Sequence, residues 1–214
     1  MESKYKIAVI GGTGKSGQFL VIHLLKLGIP IKMLIRNPEN FQLKSPLIEI
    51  IRGDARDPRA VYSLIEGCNA VISTLGQPKN EPPIFSDATR NVNSAMDFFR
   101  IRRYIVTTGI NVDTPQDKKT GYTEAATEWM KDNYPKTTAD KQTEWELLVA
   151  SALDWTLVRL PYIELTDKKN EVKINLEDCP GEKISATSLA EFLTDQLNDT
   201  TYSKQSPFIS NGIS

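Results

Sequence analysis

The sequence predicts an α/β fold of the doubly wound kind, a parallel sheet with helices on both faces. Three observations carry this. Short β-rich runs alternate with helical runs along most of the chain. Several of those β-rich runs are apolar on both faces, as strands covered from both sides read. A glycine-rich turn joins the first such run to the first helical run. Alternation of this kind gives parallel strands joined by helical crossovers.

Strands are expected at Tyr5–Ile10, Ile31–Ile35, Leu47–Ile51, Ala70–Thr74, Arg103–Thr108 and Trp155–Arg159. The first helix is expected from about Gly14 to Leu27, with Gly28 as its stop. Its polar residues Lys15, Gln18, His23 and Lys26 gather on one stripe. Asp57-Pro58 reads as an N-cap followed by an N1 proline, opening a helix toward Glu66. From Ile84 to Phe99, Ile84, Ala88, Val92, Ala95 and Phe99 share one face at helical spacing. A further helix, about Thr138 to Ala152, carries Lys141, Trp145, Leu148 and Ala152 on one stripe. The last begins at Ser188-Leu-Ala-Glu191, a capping-box pattern, with Leu189, Leu193 and Leu197 turned inward. The stretches Asn111–Asn133 and Glu164–Glu182 are polar and irregular, and read as long loops or small helical inserts over one end of the sheet. Trp145 and Trp155 read as core, and Trp129 as part of the first insert. The chain reads as one domain over residues 1–214. Its core covers about 4–160, and 161–214 supply loops, a last helix and a last strand.

Composition excludes several functions. The chain has 26 Lys and Arg against 27 Asp and Glu, a net charge of −1, with no basic excess to neutralise a nucleic-acid backbone. No unbroken apolar run approaches the ~18 residues of a membrane span. The richest, Phe19 to Ile29, is interrupted by His23 and Lys26. Met1-Glu2-Ser3-Lys4 leads straight into a strand, so no secretory signal is expected. Cys68 and Cys179 have no metal or redox spacing, and a reducing, cytoplasmic location is expected. His23 is the single histidine, which leaves no histidine-based metal cluster or Ser-His-Asp triad. The acidic residues Glu177, Asp178 and Glu182 have no convergent partner pattern, so no metal is expected.

The most informative run is Ile10-Gly11-Gly12-Thr13-Gly14-Lys15-Ser16-Gly17. Gly12-x-Gly14-x-x-Gly17 fits the dinucleotide fingerprint of Rossmann-type folds, and Gly11-x-x-Gly14-x-x-Gly17 fits its short-chain-dehydrogenase variant. Glycine permits the tight turn and lets backbone N–H groups approach a pyrophosphate. The helix N-terminus then faces the anion. The context is right, with a strand before and a helix after. The Gly-Lys-Ser sequence suggests a triphosphate-binding loop, but the glycine it needs five positions before Gly14 is Val9. At the end of the second strand an NAD site wants an acidic residue for the ribose. Arg36 stands there, suited to bidentate contact with a 2′-phosphate, and Lys15 could add a second positive charge. NADP (as NADPH) is therefore expected over NAD.

The chain resembles the atypical short-chain dehydrogenase/reductase group with NmrA-like and flavin-reductase-type members, over nearly its whole length. The motifs are Gly11-Gly-Thr-Gly-x-x-Gly17, Arg36, Gly53-Asp54-Ala55-Arg56-Asp57, Ala70-Val-Ile-Ser-Thr-Leu-Gly76, Arg103-Tyr-Ile-Val-Thr-Thr108, Asp154-Trp-Thr-Leu-Val-Arg159 and Ile184-Ser185. The resemblance implies that Gly11, Thr13, Gly14, Lys15, Ser16 and Gly17 hold the pyrophosphate side of the cofactor. It implies Asp54 and Ala55 at the adenine, and Thr74, Leu75 and Gly76 beside the adenosine ribose and pyrophosphate. Thr107 and Thr108 would lie near the nicotinamide, and Lys141 on the nicotinamide ribose. Pro161, Tyr162 and Ile163 would meet the carboxamide through backbone atoms. Thr108 and Lys141 are the expected catalytic residues.

One departure matters. The group's enzymes use Tyr-x-x-x-Lys, the tyrosine moving the proton in carbonyl reduction. Four positions before Lys141 stands Thr137, a far poorer acid, while Tyr134 and Tyr122 lie farther back. The expected function is hydride transfer from NADPH to a small conjugated acceptor such as a flavin or quinone. The acceptor would be held by Gln77–Ile84, Ile110–Tyr134 and Glu164–Glu182. The alternatives are a non-catalytic NADP-binding sensor and, third, a sugar-nucleotide epimerase-like enzyme. The expected partner is a small molecule, not a nucleic acid or a membrane, and the expected assembly a monomer or small homo-oligomer.

Overall fold

The computed structural model describes residues 5–212. The elements run β1 (Ile7–Ile10), α1 (Gly17–Lys26), β2 (Ile31–Ile35), β3 (Ile48–Arg52), α2 (Pro58–Ile65), β4 (Ala70–Ser73), α3 (Phe85–Phe99) and β5 (Arg103–Gly109). Then come α4 (Gly121–Asn133), α5 (Pro135–Val149), β6 (Asp154–Leu160), β7 (Tyr162–Glu164), β8 (Val172–Asn175), β9 (Lys183–Ser185), α6 (Ala186–Asp195) and β10 (Phe208–Asn211). The main sheet has the order β3-β2-β1-β4-β5-β6-β10-β8, parallel except for β8. This is the doubly wound Rossmann-type architecture, with the reversal of strand order between β1 and β4, where such folds bind ligands.

Two cores lie on the two faces of the sheet. Along β1, Ile7 and Val9 join the side covered by α1 and α6, while Ala8 and Ile10 join the side covered by α2, α3 and α5. Successive side chains of a strand point to opposite faces, so a strand buried on both must be apolar throughout. Lys32 is the exception inside β2. Its buried ammonium donates to the Ser63 and Glu66 carbonyls at 2.9 Å, where α2 ends and leaves acceptors unpaired.

The local signals act where expected at two helix ends. Asp57 caps α2 by accepting from the Arg59 amide, and Gly28 takes φ +71° just after α1. Other boundaries move. α1 begins at Gly17 rather than Gly14, because Gly11 to Ser16 are used up by the turn. α6 is capped by Ser185, whose hydroxyl accepts from the Ser188 amide; the expected capping box at Ser188 lies one turn inside the helix. α5 starts at Pro135, three residues before the expected Thr138, since the proline suits a first-turn position. The first polar insert takes the helical alternative and holds α4. The second contributes β8, which pairs antiparallel with β10 at the sheet edge.

Arg159, at the carboxyl end of β6, is fully buried and holds the first insert down. It pairs with Asp117 at 2.6 Å, donates to the Ser206, Val112 and Leu176 carbonyls, and stacks 3.4 Å above the Phe208 ring.

Candidate functional site

The carboxyl ends of β1 to β4 open into a cleft of about 760 Å³. Gly11, Thr13 and Gly14 line it from the turn after β1, and Arg36 from the end of β2. Asp54 and Ala55 line it after β3, and Leu75 and Gly76 after β4. Lys15, Ser16 and Gly17 complete the turn without lining the cleft, and Thr74 stands behind it, its hydroxyl donating to the Ile10 carbonyl at 3.3 Å. Lys15 is exposed, and its carbonyl takes the Gln18 amide at 3.1 Å. The second guanidinium at Arg36 is that of Arg56: both arginines bond the Glu81 carboxylate, Arg36 at 2.8 Å and Arg56 at 3.0 Å.

Two glycines are required by this geometry. Gly11 has φ +77°, and a Cβ there would stand 2.6 Å from the Thr74 backbone. A Cβ at Gly17 would press into the Gly11 carbonyl oxygen and lie 2.7 Å from Thr74 Oγ1. Turn and β4 loop are thus in backbone contact, which only glycine permits. A cradle this close, opening on a helix N-terminus, fits a pyrophosphate.

Around the ends of β5 and β6 the site is different. Thr107 is buried and donates to the Ser73 carbonyl at 3.3 Å. Thr108 is buried, and its Oγ1 has no hydrogen-bond partner among the described residues. Lys141 extends from α5 toward β5: a Cβ built at Gly109 would lie 3.4 Å from its Nζ. The ammonium sits 4.9 Å from the Phe85 ring centroid, a cation–π contact. Burial lowers the Lys141 pKa, with the Glu144 charge opposing. Pro161 is buried after β6, Tyr162 is exposed on β7, and Ile163 packs against the α1–α6 core.

Sequence reading missed Glu144. It is buried one turn after Lys141 on α5. Its Oε1 accepts from Thr89 Oγ1 at 2.9 Å, and its Oε2 has no partner. Burial pushes its carboxyl up to about 7, against the Thr89 hydrogen bond and the Lys141 charge. The signal was present, since Glu144 falls within the stripe of Lys141, Trp145 and Leu148. Nearby, Asp140 accepts from the Phe85 amide and the Ser86 hydroxyl, joining α5 to the start of α3.

Thr137 precedes Lys141 by one turn on α5. Tyr134 is exposed and packs edge-on against Trp129, itself exposed on α4, with ring centroids 5.6 Å apart. The Tyr122 hydroxyl donates to the Glu182 carbonyl at 3.4 Å. Trp155 is buried and Trp145 packs on the core beside it. Glu177 and Asp178 hold the segment before α4, through Lys118 at 2.7 Å and the Thr120 hydroxyl at 2.6 Å.

Comparison with known proteins agrees with this layout. The isoflavone reductase homolog A622 of Nicotiana glauca is 32% identical over 120 residues, 51% of this chain and 37% of that protein. The isoflavone reductase homolog IRL of Zea mays is 29% identical over 133 residues, 58% of this chain and 40% of that protein. The matches thus span about two fifths of these curated relatives. A short-chain dehydrogenase/reductase from Veillonella parvula, solved in complex with NADP, superposes with TM-score 0.78 at 16% identity, covering 97% of this chain and 94% of that one. ChuY, an anaerobillin reductase from Escherichia coli O157:H7, superposes with TM-score 0.77 at 17% identity, covering 96% and 97%. At these identities the two structures show a shared fold. The profile of the NAD(P)H-binding family matches residues 11–200, nearly the whole described chain. The chain belongs to the NAD(P)H-binding family.

Proposed function

We propose that this protein is an NADPH-dependent reductase of a small conjugated acceptor, a flavin, a quinone or a similar flat molecule. The observation that carries the cofactor reading is the arginine at the end of β2, lining the cleft beside the glycine turn. Gly11, Thr13, Gly14, Ser16 and Gly17 would hold the pyrophosphate, with Lys15 at its exposed flank. Arg36 would hold the 2′-phosphate, and Asp54 and Ala55 the adenine. Thr74, Leu75 and Gly76 would run beside the adenosine ribose. Thr107, Thr108, Lys141 and the Pro161–Ile163 backbone would hold the nicotinamide half. The cofactor supplies hydride chemistry; the chain supplies position and electrostatics.

Thr108 and Lys141 are the groups that would touch the reacting end. The Lys141 ammonium, desolvated against Phe85, would donate to the nicotinamide ribose and offset negative charge that develops nearby. With Thr137 where a tyrosine would donate, an acceptor that takes its proton from solvent suits the site better than a simple ketone. The acceptor would rest against Gln77–Ile84, α4 and the 164–182 loop. We place the protein in a reducing, cytoplasmic compartment, as a monomer or small homo-oligomer. No helix among the described residues is long and apolar enough to cross a membrane.

The test is equilibrium titration of Arg36→Ala with NADPH and NADH. Loss of a charge-assisted contact predicts ~10–100-fold weaker NADPH with NADH nearly unchanged. Equal losses for both overturn the 2′-phosphate assignment. Thr137 also favours a second reading, a sensor that binds NADP without turnover. Tight NADPH binding with no NADPH oxidation across flavins, quinones and carbonyls would select it.

A further inference from the structure

Beside the glycine turn, two guanidiniums and two carboxylates form a closed cluster. Arg36 Nη1 donates to Glu81 Oε1 at 2.8 Å, and Arg56 Nη1 to Glu81 Oε2 at 3.0 Å. Asp54 stands farther off, 3.7 Å from Arg36 and 3.8 Å from Arg56. The two arginines come from different strand ends, β2 and β3, yet they converge on separate oxygens of one anion. Two guanidiniums on separate oxygens of a single anion is also an arrangement in which arginines grip a phosphate.

Glu81 belongs to the 77–82 loop that overhangs the cleft, and the same arginines hold that loop. Arg56 Nη2 donates to the Pro82 carbonyl at 2.7 Å. The Gln77 side-chain amide folds back on the Pro78 and Glu81 carbonyls at 3.1 and 2.9 Å. Asn80, at the tip, takes φ +58°, a conformation that L residues other than Asn, Asp and Gly rarely adopt. The arginines hold the Glu81 carboxyl below its usual range, with the Arg36 hydrogen bond the largest cause. Formal charges in the cluster cancel, two positive against two negative. A phosphate monoester carries about −1.5 to −2 near neutral pH. It cannot share both guanidiniums with Glu81 without two anions crowding one site.

We propose that Arg56 is a second ligand for the cofactor 2′-phosphate, and that Glu81 is an internal carboxylate that occupies this two-arginine seat until a 2′-phosphorylated nucleotide displaces it. Glu81 thereby sets cofactor selectivity. It imposes a cost on NADP(H) that Arg36 and Arg56 must overcome, and displacing it frees the 77–82 loop. The proposal rests on the NADPH reading above and goes beyond it by naming a second ligand and a competitor.

The experiment is calorimetric titration of the full chain with NADP⁺, NAD⁺ and adenosine 2′,5′-bisphosphate. The variants are Arg56→Gln, Arg56→Lys and Glu81→Gln, each checked for folding by its thermal transition. Both substituted side chains are partly exposed, so the fold should tolerate the changes. Arg56→Gln should weaken NADP⁺ and the bisphosphate by roughly tenfold, with Arg56→Lys recovering part of it and NAD⁺ within about twofold. Glu81→Gln should tighten NADP⁺ and the bisphosphate by roughly threefold or more, again sparing NAD⁺. Equal changes for NADP⁺ and NAD⁺ overturn the proposal, leaving a surface ion network. Weaker NAD⁺ with unchanged NADP⁺ in Glu81→Gln also overturns it, making Glu81 a ribose ligand. A wild-type protein without preference for NADP⁺ brings down the cofactor reading itself. A wild type that loses its preference in Arg36→Ala but keeps it in Arg56→Gln brings down only this inference.

Discussion

At the Arg36 end of the cleft, charges are half exposed and fully paired. At Lys141, beyond the residues that line this cleft, the polar groups are mostly buried and poorly paired: Thr108 Oγ1 and Glu144 Oε2 have no partner among the described residues, and the Lys141 ammonium lies 4.9 Å from the Phe85 ring centroid. Exposed pairs exchange partners cheaply, because water compensates each step. Buried, unpaired groups cannot, and they respond by shifting their pKa values. On the proposed reading, the first end would choose among nucleotides, and the second would hold protons and charge near the reacting centre. Perturbed groups of this kind concentrate at functional sites.

Three substitutions probe that contrast. The largest effect is expected away from both ends, at the buried pair that anchors the insert beside the Lys141 end. Asp117→Ala leaves Arg159 buried without its counter-charge and should cost ~3–5 kcal/mol in urea unfolding. A loss below ~1 kcal/mol would mean that the carbonyl contacts and the Phe208 ring hold Arg159 unaided.

Next comes Glu144. Its native carboxyl titrates near 7, above the ordinary 4.5, chiefly through burial. Between these values the native state keeps a proton that the unfolded chain has released, so stability falls as pH rises from about 4.5 to about 7. Above that it stays at the lower level. The slope sums to ~3 kcal/mol, as an order of magnitude. Lys141 and Asp140 from α5 and Tyr104 from β5 face the same group, and the Lys141 charge works against the shift. Glu144→Gln should flatten this part of the profile, gaining most on the wild type at pH 8 and least at pH 5. Parallel profiles for the two proteins would show that Glu144 is already ionised at pH 5 and that the Lys141 end is no different from the Arg36 end.

The smallest effect on stability, about 1–3 kcal/mol, is expected for Gly17→Ala through overpacking of the turn. Its binding signature is the sharper one. NADPH and NADH should weaken together, since the pyrophosphate cradle is common to both. Selective loss of NADPH alone would place the 2′-phosphate at the turn and remove the distinction between cradle and arginine seat.

Much of this organisation was legible before any coordinates. The both-face apolar strand Ile7–Ile10 could be buried only between two helical layers, and Gly11 to Gly17 marked the turn. Boundaries slipped where signals compete. Pro135 and Thr138 both suit a helix start, and Ser185 and Ser188 both suit a cap. The polar insert that became α4 has no strong apolar stripe, because its buried residues Thr123 and Thr127 are polar, the Thr127 hydroxyl donating back to the Thr123 carbonyl. β8 is exposed along most of its length and gains its identity from pairing with β10.

The sequence by itself determined the layering, the cofactor turn and the arginine after β2, because these depend on local spacing and on residues a few positions apart. Only the tertiary structure decided the partners. Arg56 meets Arg36 across the ends of two strands, and Glu81 reaches both from a loop 45 residues beyond Arg36. Glu144 became a buried carboxyl because α5 packs on α3 with Thr89 beneath it. Charge pairing and desolvation act through space, and spacing along a chain carries no record of them until the chain is folded.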